Sequence, residues 1–189
     1  MKFLNLLLIA TVMVSCGGNQ NTMDALNKLD SLSKSMNQSS LTDKYMSKDG
    51  SFKISFPGTP TVSSENVPTE AGNIEMKLFT YKKSATEAYM VVYSDYPSEM
   101  VKASDPETLL NGAKEGALSN QSVTLESEKK ITLDGNPGYY FTAKKDSYYV
   151  CFKIFLKENR LFQILMLCDG NYPSQENIDA FIGSFELIK

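Results

Sequence analysis

Tyr148-Tyr149-Val150-Cys151-Phe152-Lys153-Ile154-Phe155-Leu156 and Leu161-Phe162-Gln163-Ile164-Leu165-Met166-Leu167-Cys168 are the stretch that decides the fold. Each run is apolar on both sides of a two-residue alternation, and the link between them, Lys157-Glu158-Asn159-Arg160, is polar. Two such runs joined so closely read as a β-hairpin. Strands that are apolar on both faces need cover on both faces, so this hairpin belongs inside a sheet and not at its rim.

Working outward, the same pattern recurs. Residues 88–93 carry Met90 and Val92 on one face and Tyr89, Val91 and Tyr93 on the other, which predicts a second central strand. Residues 51–56 alternate Phe52, Ile54 and Phe56 with Ser51, Lys53 and Ser55 until Pro57-Gly58 stops them. A weaker strand is expected at 62–67 and further strands at 73–82, 123–133 and 139–143, with turns at Pro68 to Gly72, at Leu133-Asp134-Gly135-Asn136-Pro137-Gly138 and at 144–147. Ser104 and Glu107 have the spacing of a capping box, and Pro106 suits a first helical turn. The helix that follows carries Leu109, Leu110, Ala113, Ala117 and Leu118 on one side. A last helix, capped by Ser174, buries Ile178, Phe181, Ile182 and Phe185. Strands in sequence order with short turns pair antiparallel. The expected class is therefore α+β, an antiparallel β-sheet flanked by helices on both faces, an α/β/α sandwich.

The other end of the chain sets location. Lys2 precedes an apolar run, Phe3 to Val14, that is shorter than the about 20 residues a membrane-spanning helix needs. It ends in Val12-Met13-Val14-Ser15-Cys16-Gly17, which resembles the bacterial lipobox, with Met13 in place of the usual Leu. That resemblance implies removal of residues 1–15 as a lipoprotein signal peptide and attachment of fatty-acyl (palmitate) chains to Cys16. The alternative is an ordinary secretory signal with Cys16 a spare thiol. Several acyl chains hold a protein at a bilayer firmly where one does so only marginally. Gly17 in place of an aspartate fits, by analogy with enteric sorting, the outer membrane facing the periplasm. Residues 16–44 then form a tether, within which Met23, Leu26, Leu29, Leu32 and Met36 make one apolar stripe of a short amphipathic helix. Residues 45–189 form the globular domain.

Composition narrows the chemistry. Without residues 1–15 the 189-residue chain keeps 174 residues, with 18 basic and 22 acidic side chains, a net charge of −4. Arg160 is the only arginine, so there is no basic stripe to displace phosphate counterions, and no nucleic-acid partner is expected. The chain has no histidine. The commonest general base, the commonest metal ligand and the partner of Ser and Cys nucleophiles are all missing. No metal, cofactor or catalytic residue is expected.

Ser51-Phe52-Lys53-Ile54-Ser55-Phe56-Pro57, Thr132-Leu133-Asp134-Gly135-Asn136-Pro137-Gly138, the strand from Leu161 to Leu167 and Phe181-Ile182-Gly183-Ser184-Phe185 resemble the PsbP-like superfamily. The resemblance covers about residues 46–189. It implies an α/β/α sandwich that acts as a binding or assembly module and not as an enzyme. The superfamily's photosynthetic and nuclear partners do not carry over to a chain with an export signal, and no functional residue is transferred.

Four sets of residues remain as candidates. Glu126 and Glu128 share a strand face by alternation and form a carboxylate pair for acid/base work, or a solvated edge. Cys151 and Cys168 fall on the same face of neighbouring strands, where a disulfide is feasible in an oxidising envelope and buried free thiols are the alternative. Tyr93, Asp95 and Tyr96, with Tyr89 before them, suggest a binding surface, since tyrosine is a low-entropy amphipathic contact residue. The bland alternative is that these tyrosines fill sheet positions. Cys16 is the lipidation site. The expected function is a lipid-anchored cell-envelope protein, held at the membrane by its N-terminal lipid, whose non-catalytic domain binds a protein partner or supports an assembly. The alternative is a carrier or sensor for a small or lipidic ligand.

Overall fold

The computed structural model describes residues 44–47, 49, 51–69 and 72–188. The signal peptide, Cys16 and the apolar stripe of residues 23–36 lie outside the described residues. Within them the strands are β1 (Tyr45–Met46), β2 (Phe52–Ile54), β3 (Thr61–Thr69), β4 (Gly72–Lys82), β5 (Glu87–Asp95), β6 (Thr124–Leu133), β7 (Asn136–Lys145), β8 (Tyr148–Lys157), β9 (Arg160–Asp169) and β10 (Glu186–Leu187). The helices are α1 (Ser98–Lys102), α2 (Pro106–Gln121) and α3 (Gln175–Phe181), the last continued by a 3-10 turn, Ile182–Ser184.

Seven strands form one antiparallel sheet in the order β3-β4-β5-β9-β8-β7-β6. The chain is thus α+β, an antiparallel sheet with few helices. The β8–β9 hairpin lies inside the sheet, and β5 closes against β9 after the excursion through α1, α2 and the strands β6 to β8. Three hairpins of the sheet turn on two residues each, and the first residue of every loop is left-handed: Asp134 (φ 50°), Asp146 (φ 53°) and Glu158 (φ 54°). Such turns match the right-handed twist of the flanking strands. The expected long turn at 133–138 is therefore only Asp134-Gly135, and Pro137 and Gly138 already pair within β7.

On one face, α2 lays Leu110, Ala113, Ala117 and Leu118 on Phe141, Val150, Phe152, Ile154 and Leu165. The Asp105 carboxylate caps α2 by accepting from the Thr108 amide at 3.0 Å, with Pro106 in the first turn. Ser104 is not the cap; its hydroxyl donates to the Met100 carbonyl at the end of α1. On the opposite face, α3 buries Ile178 and Phe181 over Tyr89, Cys151 and Met166. The Ser174 side chain caps this helix by accepting from the Asn177 amide at 3.3 Å. Residues 51–56 do not enter the large sheet. Phe52–Ile54 pairs with β1 and β10 in a separate three-stranded sheet on the α3 face. Its Phe52, fully buried, meets Phe79 edge-on at 5.1 Å and stacks on Phe185 at 5.6 Å. One face is thus closed by α2, the other by α3 and a small sheet that ties the start of the domain to its end.

Candidate functional site

The expected tyrosine surface is divided by the sheet. Alternation along β5 sends Tyr89, Val91 and Tyr93 to the α3 face and Tyr96, just past the strand, to the α2 cluster. Tyr93 is 4% exposed, so it is not a contact residue. What it holds is an ion-pair knot. Its hydroxyl donates to Asp49, its ring lies 4.4 Å from the Arg160 guanidinium, and Arg160 bonds Asp95 in a fork, Nε to Oδ1 and Nη2 to Oδ2, each 2.6 Å. Arg160 also reaches Asp49 at 3.7 Å. Burial alone would raise the Asp49 carboxyl, but hydrogen bonds from Ser47, Tyr93 and Ser51 outweigh it and hold the group far below the usual carboxylate range. Burial and the bond to Asp49 push the Tyr93 phenol well above its ordinary value. The Tyr96 carbonyl accepts from Asn159 Nδ2 at 2.7 Å, which ties the end of β5 to the β8–β9 turn. The Tyr93, Asp95 and Tyr96 group is therefore structural: every charge in it has a fixed partner.

The two carboxylates of β6 do not form a pair. A β-bulge between Leu125 and Ser127 breaks the alternation, so Glu126 and Glu128 point to different partners. Glu128 accepts from Lys114 of α2 at 2.5 Å, while Glu126 is held by Lys144 and the Tyr172 hydroxyl beyond the other face. Lys144 and Tyr172 keep Glu126 below the usual range. Cys151 and Cys168 do share a face, but Cys151 pairs with Met166 and Cys168 with Tyr149. That diagonal offset of about 7–8 Å exceeds the usual span of a disulfide, and both thiols are free. Burial pushes the Cys151 thiol up to about 11 and, with Glu87 nearby, raises Cys168 as well. Neither is a thiolate at neutral pH.

A different set of residues is brought together on the same α3 face, towards the β6 edge of the sheet. Lys129 of β6 is opposite Tyr140 of β7, which is opposite Lys153 of β8, so the three stand in one row across neighbouring strands. Together with Ile178, Asp179 and Ile182 they line a cleft of about 280 Å³ between sheet and helix. Lys129 lies 5.0 Å from the Tyr140 ring and Lys153 lies 5.2 Å from the Phe155 ring. Burial, and secondarily the Lys129 charge, lower the Lys153 ammonium. Burial and the Cys151 sulfur raise the Tyr140 phenol. Among the described residues neither lysine has an ion-pair partner. Sequence reasoning missed this row. Its signal was Lys153, the single charge within 148–156 of an otherwise apolar strand.

A second feature missed by sequence lies at the end of the sheet where β7 turns into β8. Tyr172 packs edge-on against Tyr149 at 4.5 Å and is 36% exposed, and Tyr148 is 45% exposed at the same end. Among the described residues, no helix is long and apolar enough to cross a membrane and no group of three or more His, Cys, Asp or Glu side chains is placed to hold a metal.

No family model and no curated protein matches this chain. Among solved structures it is similar to a crystal structure from Bacteroides thetaiotaomicron at 14% identity and a TM-score of 0.39, over 78% of this chain and 48% of the other, so the chain spans about half the length of that neighbour.

Proposed function

We propose that this is a lipid-anchored cell-envelope protein whose globular domain, a PsbP-like sandwich, is a non-catalytic module for binding or assembly. Acyl chains on Cys16 hold it at the outer membrane, with the domain facing the periplasm. The observation that carries the binding role is the exposed aromatic end of the sheet, Tyr172 packed on Tyr149 with Tyr148 exposed on the other face of the same strand end, on a domain whose core is filled largely by phenylalanine rings. Half-exposed tyrosines at the end of a rigid sheet lose little entropy on contact and are favoured at interfaces with proteins. The separate engagement of Glu126 and Glu128 and the raised Cys151 thiol support a role without chemistry.

Two experiments test the proposal. Radiolabelled palmitate incorporation and membrane fractionation are compared between the native protein and Cys16→Ser; loss of both label and membrane association is expected, and an unlabelled native protein overturns the anchor. A photo-crosslinking amino acid at Tyr172 in intact cells is expected to give one defined adduct that disappears in Tyr149→Ala, which removes the ring that Tyr172 packs on, whereas an adduct unchanged by that variant overturns the aromatic surface. A second reading, a carrier or sensor for a small or lipidic ligand, is favoured by the cleft beneath α3.

A further inference from the structure

The cleft sets two lysines, without a carboxylate partner among the described residues, in one row across neighbouring strands. Arg160, Lys114, Lys130 and Lys144 are all within ion-pair distance of a carboxylate. Lys129 and Lys153 are not; they come from strands two apart on one face with Tyr140 between them, so that their stems rise about 10 Å from each other, Lys129 over the Tyr140 ring and Lys153 over the Phe155 ring. The one acid that lines the cleft, Asp179, instead accepts from Gln175 Nε2 at 2.8 Å along its own helix. Two cations therefore outnumber one acid in a concave site walled by Ile131, Ile178 and Ile182. A half-buried lysine beside a second lysine is an arrangement with an electrostatic cost that an incoming anion removes. A few polar groups set in an apolar wall are the usual form of a small-ligand site, and a volume of about 280 Å³ lies just below the usual range of such sites.

We propose that this cleft binds an organic oxyanion, a carboxylate or phosphate on an apolar stem. The Lys129 and Lys153 ammonium groups bracket the oxyanion, the Tyr140 ring forms the floor, and Ile131, Ile178 and Ile182 receive the stem. This deepens the carrier or sensor reading and does not depend on the aromatic end of the sheet, so the Tyr172 crosslink and the ligand titration fail separately.

The test is an NMR titration of isoleucine methyl groups in the intact chain carrying Cys16→Ser, which keeps the sample free of detergent. Sodium octanoate is expected to shift Ile131, Ile178 and Ile182 saturably, and octanol to bind at least about tenfold more weakly, because one charge-assisted contact is worth a factor of that order. The double variant Lys129→Gln, Lys153→Met is expected to lose at least about tenfold in octanoate affinity while melting no lower than its parent. Vesicles of phosphatidylglycerol distinguish the source of the anion. Binding to them that the double variant abolishes assigns a lipid headgroup, and binding of octanoate alone assigns a free amphiphile; each supports the proposal. Absence of octanoate binding, equal binding of octanol, or unchanged binding by the double variant overturns it.

Discussion

The Arg160 knot and the Lys129–Lys153 cleft occupy the same sheet face and place cations over tyrosine rings in similar ways, 4.4 Å at Tyr93 and 5.0 Å at Tyr140. They differ in their acids. Arg160 is forked by Asp95 and flanked by Asp49, and beneath it Phe162, Phe52 and Phe185 fill the space. Lys129 and Lys153 have no carboxylate within ion-pair distance among the described residues, and between the strands that carry them and α3 there is a cleft floored by Tyr140. A guanidinium with its geometry met on every side strengthens the fold. A half-buried ammonium without a counter-charge weakens it.

The largest difference between the regions is expected in packing. Phe162 is 1% exposed and touches Tyr93, Phe52 and Phe185, so Phe162→Ala should cost about 3–5 kcal/mol in urea unfolding. Ile178→Ala, at the cleft wall, should cost about 2 kcal/mol or less, the low end for an aliphatic truncation. Equal losses would mean that the cleft side is as tightly filled as the knot side.

Next in size is the knot itself. Arg160→Ala leaves Asp95 and Asp49 facing each other without their cation. Because the Arg160 side chain is a quarter exposed and that of Asp95 about half, solvent screening limits the loss to about 1–2 kcal/mol. The pH dependence follows from Asp49, whose folded-state pKa is depressed. Its contribution is fully present above the ordinary aspartate value, near about 4, and is lost as pH falls below it. Acid titrations of stability should therefore be shallower below about pH 4 in Asp49→Asn than in the native protein. Parallel curves would remove Asp49 from the knot.

The knot also marks what could be read from sequence. Local pattern was enough for the hairpin, the antiparallel pairing and the Ser174 cap, because each rests on residues close in the chain. Phe52–Ile54 looked like any alternating strand, and nothing local says that its partners are Tyr45–Met46 and Glu186–Leu187, one of them at the opposite end of the domain. Ser104 and Asp105 are both good caps one residue apart. Pro106 was the available signal, since proline favours the first helical position and so makes the residue before it the cap. The Leu125/Ser127 bulge has no sequence mark, and it alone separates Glu126 from Glu128. Of the two readings open for Tyr93, surface contact and sheet filling, its strand period, shared with Tyr89 and Val91, was the signal for the second, and it lies inside. Lys153 was passed over because one charge in nine residues barely alters an apolar run. Once the register is known, the same residue faces Tyr140 and falls in line with Lys129.

The smallest expected effect is also the one with the opposite sign. The Lys153 ammonium has a depressed folded-state pKa, caused first by burial and then by Lys129, so its charged form disfavours the fold. That penalty is fully present at neutral pH and is relieved as pH rises from the depressed folded value toward the ordinary lysine value near about 10.4, because in that window the unfolded chain binds more protons than the native one. Lys153→Met keeps the stem that packs on Phe155 and removes the charge. It should therefore stabilise the ligand-free protein at pH 7, by up to about 1 kcal/mol, with the advantage over the native protein shrinking as the pH is raised through that alkaline window. Arg160→Met, the matched change at the knot, should destabilise under the same conditions. Opposite signs for two cation-to-methionine changes on one sheet face would separate a cation that holds the fold from one that the fold holds ready; a loss of stability in Lys153→Met would place Lys153 with Arg160 and erase the distinction.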